Sequence, residues 1–282
     1  MNALPTPLEA IQRYGQPAKK KHGQNFLFDE VVLDRIVTLA GVTDGQHILE
    51  IGPGPGTLTS RLLVAGARVT AIEADPDLLP HLSRAFDGYP LEVIHGDATR
   101  FDLGSLREQD DSDASHLPDV VANLPYHVAT PILFRLVDHE RAPRRMTLMF
   151  QREVGERIVS PGARRDFGKL SIGVQVRYTA RLGMLLPPDA FVPAPKVESA
   201  VVVLERRPVP LVSADVEKFA RRIAAAAFNQ RRKMLRATLG KQFSSFTDSA
   251  EAAGVAPTLR PEAVLLQDFL TLAKEMHSRE QT

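Results

Sequence analysis

The chain contains no cysteine, which excludes disulfides and thiolate metal sites. Its eight histidines are scattered, with no H-x-H or H-E-x-x-H spacing, so no metal site is expected. No apolar run approaches the length of a membrane span. The start, Met1-Asn2-Ala3-Leu4-Pro5-Thr6-Pro7, lacks the charged and apolar regions of a secretion signal, and a cytoplasmic location is expected. Internal repeats and coiled-coil heptads are also missing. What remains is ordinary for a globular protein: 282 residues, 44% hydrophobic and 24% charged, enough for one large domain and a smaller one.

Net charge is scarce as well, since 35 Lys and Arg against 34 Asp and Glu leave +1. The charges are nevertheless segregated. Eight Lys or Arg and no acid lie between Lys218 and Lys241, and seven Arg face only Glu153 and Glu156 between Arg141 and Arg165. Arg13 and Lys19-Lys20-Lys21 make the N-terminal region basic, whereas acid gathers at residues 108–113, read as an exposed loop. Segregated charge can hold a polyanion when the total is near zero. Each cluster reads equally well as a solvated helix face.

Residues 1–18, rich in Pro, Gly and polar side chains, are expected to form a flexible segment. From there to about 207, apolar runs alternate with helical periodicity. Strands are expected at 47–51, 68–73, 91–95, 119–123 and 146–150, with a further strand at 200–204. Helices are expected from an Asp29 cap to Ala40, over 57–65, from Asp75-Pro76 onward, and from Thr130-Pro131 to Val137. Such alternation implies an α/β fold: a mostly parallel, Rossmann-like sheet with helices on both faces and ligands at the carboxyl ends of the strands. Glu50, Glu73, Asp97 and Asn123 all fall near such ends. Residues 208–282 read as a smaller, mainly helical domain, with helices near 213–228, 230–240, 247–253 and 261–276.

Glu50-Ile51-Gly52-Pro53-Gly54-Pro55-Gly56 is a glycine-rich turn behind the first strand. Gly52, Gly54 and Gly56 let the backbone bend tightly and approach a ligand. Counted from Gly52, the sixth position is Thr57, so the dinucleotide pattern G-x-G-x-x-G is broken, and no Gly-Lys-Ser/Thr follows for a P-loop. A purely structural turn is the competing reading. Glu73 can accept hydrogen bonds from ribose hydroxyls, or be a solvent-facing strand-end acid. Glu50 can orient the loop or face the methionine part of a cofactor. Asp97 can accept from the amino group of a cofactor's adenine, or cap the segment after it. None of these roles needs a phosphate, and the arrangement fits S-adenosylmethionine better than NAD.

Asn123-Leu124-Pro125-Tyr126 closes the fourth strand. The Asn123 side-chain oxygen and the Leu124 carbonyl can accept both hydrogens of an exocyclic amino group, drawing its nitrogen toward tetrahedral geometry. Pro125 stiffens the backbone, and Tyr126 offers a ring on which a base can stack. The set suits methyl transfer to adenine N6, where catalysis is mainly alignment. A turn rich in Asn and Pro is the plainer alternative. Gly168-Lys169-Leu170-Ser171 and Ser199 have no evident catalytic partner and read as structural, and Met146, Met149 and Met184 as core.

These motifs, with Lys20-Lys21-His22-Gly23-Gln24-Asn25-Phe26-Leu27, Gly96-Asp97-Ala98, the run from Phe191 to Val201 and Ala227-Phe228-Asn229-Gln230-Arg231-Arg232-Lys233, resemble the small-subunit ribosomal RNA adenine N6-dimethyltransferases of the kasugamycin-sensitivity type. The resemblance covers roughly residues 19–275. It implies that Gln24, Asn25, Leu27, Glu50, Gly52, Gly54, Glu73, Asp97 and Asn123 hold S-adenosylmethionine, and that Phe191 forms the wall of the adenine pocket opposite Tyr126. It implies that Arg231, Arg232 and Lys233, with Lys196, Arg221 and Arg222, hold RNA phosphates. The expected reaction is dimethylation of two adjacent adenines near the 3′ end of small-subunit RNA in an immature subunit, by a monomer. His127 departs from the usual Asn after the Tyr, and a small effect is expected.

Two rivals stand beside this reading. The large-subunit RNA adenine methylases that confer macrolide resistance share the cofactor motifs and base pocket, but the run from Phe191 and the Asn229–Lys233 motif favour the small-subunit type. A ribosome-assembly factor that mainly binds would not require the intact Asn123–Tyr126 set and strand-end acids.

Overall fold

The computed structural model describes residues 3–15, 24–106 and 115–281. The basic run Lys19-Lys20-Lys21 and the acidic stretch 108–113 lie outside the described residues. In chain order the elements are α1 (Pro7–Tyr14), β1 (Phe26–Leu27), α2 (Glu30–Ala40), β2 (His47–Ile51), α3 (Thr57–Val64), β3 (Arg68–Glu73), α4 (Leu79–Ala85), β4 (Leu91–His95), β5 (Asp119–Asn123), α5 (Tyr126–Asp138), β6 (Arg145–Gln151), α6 (Arg152–Val159) and α7 (Lys169–Gln175). There follow β7 (Tyr178–Leu186), β8 (Phe191–Val192), β9 (Ser199–Arg206), α8 (Ala214–Phe228), α9 (Leu235–Gln242), α10 (Phe246–Ala252) and α11 (Leu266–Glu280). The chain divides into two compact units: Met1–Gly155 with Arg181–Arg206, and Glu156–Ala180 with Arg207–Thr282.

The first unit is built on a seven-stranded sheet of order β4-β3-β2-β5-β6-β9-β7. Strands β4, β3, β2, β5 and β6 run parallel, and β9 joins β6 antiparallel over seven register pairs from Arg145↔Glu205 to Gln151↔Ser199. Adjacent β2 and β5 are joined to neighbours on opposite sides, so the strand order reverses between them. That reversal opens a crevice at their carboxyl ends. The parallel strands carry Ile48, Leu49, Val69, Ile72, Val120 and Val121, all nearly fully buried, as expected of a sheet covered on both faces.

Several elements differ from the sequence expectation: β7, α6 and α7 were not expected, and α9 and α11 begin at Leu235 and Leu266 rather than near 230 and 261. Residues 7–14, expected to be loose, form a helix. The signal was Thr6-Pro7-Leu8-Glu9, a capping box: the Glu9 N–H donates to Thr6 Oγ1 at 3.3 Å and the Thr6 N–H to Glu9 Oε2 at 2.8 Å. Tyr14 then enters the sheet unit's core, and Ser60 Oγ donates to the Pro5 carbonyl at 2.6 Å. The helix expected at Asp75-Pro76 begins only at Leu79, because Asp75 holds a turn, its carbonyl accepting the Leu78 N–H at 3.1 Å and its Oδ1 the Asp77 N–H at 3.2 Å. Helix α5 begins at Tyr126 rather than Thr130 and tolerates Pro131 inside it. Pro131 is exposed, so water can satisfy the carbonyl that the missing N–H frees.

The second unit is helical and takes in Glu156–Ala180 besides the C-terminal residues. This stretch had been grouped with the sheet. It joins the helices because Phe167, Ile172 and Val176 are buried among Phe219, Ile223, Leu239 and Phe269. Glu217, buried on α8, receives Arg177 at 2.8 Å and Arg221 at 2.7 Å.

At Gly56 the backbone is left-handed, with φ 88°, and a Cβ there would lie 2.4 Å from the Phe86 ring. Both backbone and packing therefore demand glycine. Gly56→Ala is expected to destabilise the protein by roughly 2 kcal/mol or more, readable in a urea unfolding titration. Unchanged stability would mean that α3 and Phe86 can yield at this point.

Candidate active site

The carboxyl ends of β2, β3 and β5 and the turn after β4 open on a cavity of about 380 Å³, within the usual range for small-molecule sites. Glu50, Glu73 and Asp97 line it, and no Lys or Arg does so among the described residues. An acidic lining without Lys or Arg makes poor company for a phosphate and suits a positively charged ligand, which favours the ionised form of each acid.

The glycine turn shapes one wall. Gly52, Gly54 and Gly56 all have positive φ (68°, 57° and 88°), and a Cβ on Gly54 would press on the Phe26 ring at 3.2 Å. A Cβ on Gly52 would lie 3.7 Å from the Pro125 side chain, so the glycine turn abuts the Asn123–Tyr126 segment. The Gly52 N–H donates to the Ile72 carbonyl at 2.9 Å, stitching the turn to β3.

The acids are held differently. Glu73 accepts from the Gly54 N–H at 3.1 Å and from the Asp75 N–H at 2.8 Å, yet burial keeps its pKa above the ordinary glutamate value against both bonds. Glu50 is 1% exposed and accepts from Thr59 Oγ1 at 2.7 Å. Burial first, and the nearby Glu73 in addition, push it up to about 8 despite the Thr59 bond. Asp97 is exposed, and its Oδ1 accepts from the Thr99 N–H at 2.8 Å and hydroxyl at 2.7 Å. Those bonds hold its pKa low, and the capping role considered for it is thus realised through one oxygen.

Asn123 ends β5, and its Nδ2 donates to the Asn25 carbonyl at 3.2 Å. With the nitrogen engaged, the side-chain oxygen remains as acceptor. Gln24 Nε2 donates to Asp75 Oδ2 at 3.2 Å, so the Gln24–Leu27 stretch is tied to both sides of the crevice. Pro125 caps α5 and Tyr126 opens it. The half-buried Tyr126 hydroxyl lies 2.6 Å from Ser199 Oγ, and Ser199 is fully buried. Burial raises the tyrosine pKa, the Ser199 bond partly opposing it.

The cavity therefore gathers Gln24, Asn25, Leu27, Glu50, Gly52, Gly54, Glu73, Asp97, Asn123, Leu124, Pro125 and Tyr126, and His127 beside them. Phe191 is not among the lining residues. It is 3% exposed, packed in the core and paired through its backbone with Leu27. The short β1–β8 ladder draws it inward, where it supports the Gln24–Leu27 stretch. Asp75 and Ser199 were missed as site residues, because each shows its partner only in three dimensions. In the helical unit the expected basic residues divide. Arg221 bonds Glu217 at 2.7 Å and the Gly173 carbonyl at 3.1 Å. Arg222 bonds Glu280 at 2.6 Å and lies over the Phe219 ring at 4.5 Å. Arg221 is thus committed to a buried acid, whereas Arg222 remains exposed. Arg232 and Lys233 are exposed, as is Lys196 in the sheet unit.

A family model described as ribosomal RNA adenine dimethylase matches residues 15–278. A protein of Paracoccus denitrificans (strain Pd 1222) named ribosomal RNA small subunit methyltransferase A is 44% identical over 97% of this chain and 96% of its own. One of the same name from Ruegeria sp. (strain TM1040) is 45% identical over 97% of each. Among solved structures, the 23S rRNA methyltransferase ErmE superposes with a TM-score of 0.71 at 23% identity, covering 89% of this chain and 99% of the other. A dimethyladenosine transferase from Plasmodium falciparum gives 0.70 at 23% identity, covering 89% and 97%. Likeness at that identity speaks for the fold alone.

Glu50 generates a pH signature. Its pKa is about 8 in the folded protein against 4.5 for an ordinary glutamate, so between these values the folded state holds the extra proton. Raising the pH through this window removes that proton and leaves a buried carboxylate, so the stability contribution falls. The unliganded Glu50→Gln variant should gain on the parent steadily across that window and level off above it, read as melting temperature against pH. Parallel curves would mean that Glu50 is ionised throughout. The Tyr126–Ser199 bond should show a coupling of about 1 kcal/mol in a cycle of Tyr126→Phe and Ser199→Ala unfolding free energies. Strict additivity would rule the bond out.

Proposed function

The chain belongs to the ribosomal RNA adenine dimethylase family, and from that premise we propose that it dimethylates the N6 nitrogens of two adjacent adenines near the 3′ end of small-subunit ribosomal RNA. It is an S-adenosylmethionine-dependent small-subunit ribosomal RNA adenine dimethyltransferase. The large-subunit reading is not favoured, because full-length relatives at 44–45% identity carry the small-subunit name, against 23% for the large-subunit enzyme. The substrate is an immature small subunit in the cytoplasm, and the enzyme acts on it as a monomer. No helix of the described residues is long and apolar enough to cross a membrane.

The observation that carries this reading is the Asn123 amide, pinned by the Asn25 carbonyl in the same cavity as three carboxylates. S-adenosylmethionine supplies, when bound, a methyl carbon on a positively charged sulfur together with a positively charged amino group. The donor set fits it: a cavity lined by Glu50, Glu73 and Asp97, with no Lys or Arg among the described lining residues, suits a cation without phosphates. Glu73, with two backbone N–H bonds fixing its carboxylate, accepts the ribose hydroxyls. Glu50 faces the methionine end, where a positive charge favours its ionised form. Asp97 has Oδ1 engaged by Thr99 and Oδ2 left for an adenine amino group. Gln24, Asn25 and Leu27 cover the site.

On the substrate side, Asn123 Oδ1 and the Leu124 carbonyl accept the two N6 hydrogens. This withdraws the nitrogen lone pair from the ring and aims it out of the base plane. Pro125 fixes the backbone between the acceptors. Tyr126 stacks on the base with its ring angle set by Ser199. The proton on the methylated nitrogen is acidic enough to leave to water, so no buried base is needed. The second methylation requires the acceptors to hold a nitrogen that has one hydrogen left, and a single acceptor at Asn123 or Leu124 suffices for it.

Methyl transfer from labelled cofactor to undermethylated small subunits, with large subunits as control, tests the reading. Incorporation only into large subunits would overturn it. Asn123→Ala should cut the transfer rate roughly a hundredfold or more while cofactor affinity, measured calorimetrically, stays within a few-fold. Equal loss of both would assign Asn123 to the cofactor instead.

A further inference from the structure

The glycine turn is gripped from outside the cavity as well as from within the sheet. His81 stands on α4, is buried, and its Nε2 donates to the Pro55 carbonyl at 3.0 Å. Pro55 lines the cavity, whereas His81 is absent from the lining residues. Neighbouring turn carbonyls are met locally: Pro53 accepts the Gly56 N–H at 3.0 Å, and Gly56 accepts the Ser60 N–H at 2.9 Å. The Pro55 carbonyl takes its hydrogen bond from a side chain 26 residues further on. Burial above all lowers the His81 pKa, with Arg84 and Arg13 adding to it and the Pro55 bond opposing, so the imidazole is neutral at neutral pH. A neutral imidazole has a single N–H, and a carbonyl can only accept, so that hydrogen sits on Nε2. A further support comes from α1. Its last residue, Tyr14, is buried, with its ring 5.5 Å from the His81 ring and 6.3 Å from that of Phe26, edge-on to the latter. The Phe26 ring in turn lies against Gly54, where a Cβ would come within 3.2 Å of it. Two consecutive turn residues, Gly54 and Pro55, thus rest on Phe26 and His81, and Tyr14 packs against both rings.

We propose that His81 is a positioning residue for S-adenosylmethionine: its bond to the Pro55 carbonyl fixes the glycine turn in the shape that receives the cofactor. The proposal rests on that cofactor as the ligand of the cavity. Gly52, Gly54 and Gly56 all take positive φ, a conformation that glycine enters readily and leaves as readily. A turn of this composition must be ordered by its surroundings, since ordering it on binding weakens affinity. The Gly52 bond to Ile72 and the Gly54 bond to Glu73 hold its start and middle. His81 holds its end, just before α3. The Pro55 carbonyl and the Gly56 N–H belong to one peptide plane. His81 grips that plane by its oxygen and Pro53 by its N–H. The ring of Pro55 fixes its own φ, so ψ at Pro55 and φ at Gly56 are the rotations that remain, and both turn this plane. Without the His81 bond one of its two anchors is gone, and the cavity wall made by Gly54 and Pro55 loses its single shape.

The test is calorimetric binding of S-adenosylmethionine to the free protein. His81→Met removes the donor at similar volume and should weaken binding roughly tenfold, the scale of one hydrogen bond. His81→Gln returns an N–H of similar reach and should bind within about threefold of the parent. In methyl transfer to undermethylated small subunits, His81→Met should raise the cofactor KM by the same factor and leave kcat at saturating cofactor unchanged. The unsubstituted protein gives a second measurement that no folding defect can obscure: its nitrogen NMR spectrum should show the His81 ring hydrogen on Nε2. Unchanged affinity in His81→Met, equal loss in His81→Gln and His81→Met, or a ring hydrogen on Nδ1 would overturn the proposal. So would a fall in kcat at unchanged cofactor affinity. Absence of cofactor binding to the parent would strike the cofactor and the proposal together, whereas binding without methylation of small subunits would strike the substrate alone.

Discussion

An amide can present its oxygen in only one direction once its nitrogen is bound. The Asn123 Nδ2 bond to the Asn25 carbonyl, 3.2 Å long, makes that choice, and the site's chemistry depends on it. An Asn free to rotate would offer N–H and C=O equally and could not discriminate an amino group from a carbonyl on a base. The bond also ties two distant parts of the chain. Asn25 precedes β1, whose two residues pair with Phe191 and Val192, while Gln24 is held by Asp75 at the end of β3. The orientation of one side chain thus rests on contacts from both sides of the crevice, and the strand order supplies the crevice itself.

The electrostatics of the cavity follow from what is missing from it. With carboxylates and no Lys or Arg among its described lining residues, desolvation is the dominant influence on Glu50 and Glu73, and it acts on both in the same direction. Hydrogen bonds from Thr59, Gly54 and Asp75 offset it in part. A polypeptide that buries two acids side by side is poorly arranged for its own stability. The same arrangement gives a cationic ligand something to neutralise, so the cost in the free protein becomes selectivity for charge. A dinucleotide would bring phosphates to a cavity with no Lys or Arg among its described lining residues to meet them.

How much of this was legible follows the range of the interactions involved. Strands β2, β3, β4 and β5 lie where alternation and apolar runs put them, because a buried parallel sheet imposes a strong local pattern. The strand-end residues came with them, and Glu50, Glu73, Asp97 and Asn123 line one cavity. The capping box at Thr6 and Glu9 was readable too, but a proline-rich composition masked it. Ser199 could not be read as a partner of Tyr126, since β9 returns antiparallel beside β6 from some fifty residues downstream. Phe191 was misplaced for a similar reason: an aromatic in a motif says nothing about whether its ring reaches the cavity or the core. The segment from Glu156 to Ala180 joins the helices through Phe167 and Ile172, and nothing local distinguishes these from sheet-packing residues.

Charge was the least legible property, and the helical unit shows why. Counting gave eight cations between Lys218 and Lys241, but counting treats every cation as free. Arg221 holds buried Glu217, Arg222 lies between Glu280 and two aromatic rings, and Arg231 bridges two carbonyls. All three are arginines, consistent with a forked, planar group that can satisfy several acceptors at once. Adjacent Arg231 and Arg232 therefore differ in kind although they are identical in sequence. Reversing the charge of such a motif as a block would remove contacts and scaffold together, and the resulting loss of binding would not tell which had been lost. Only neutral changes at the exposed positions, set beside a charge-preserving change at the bridging one, can separate the field a surface projects from the bonds that shape it.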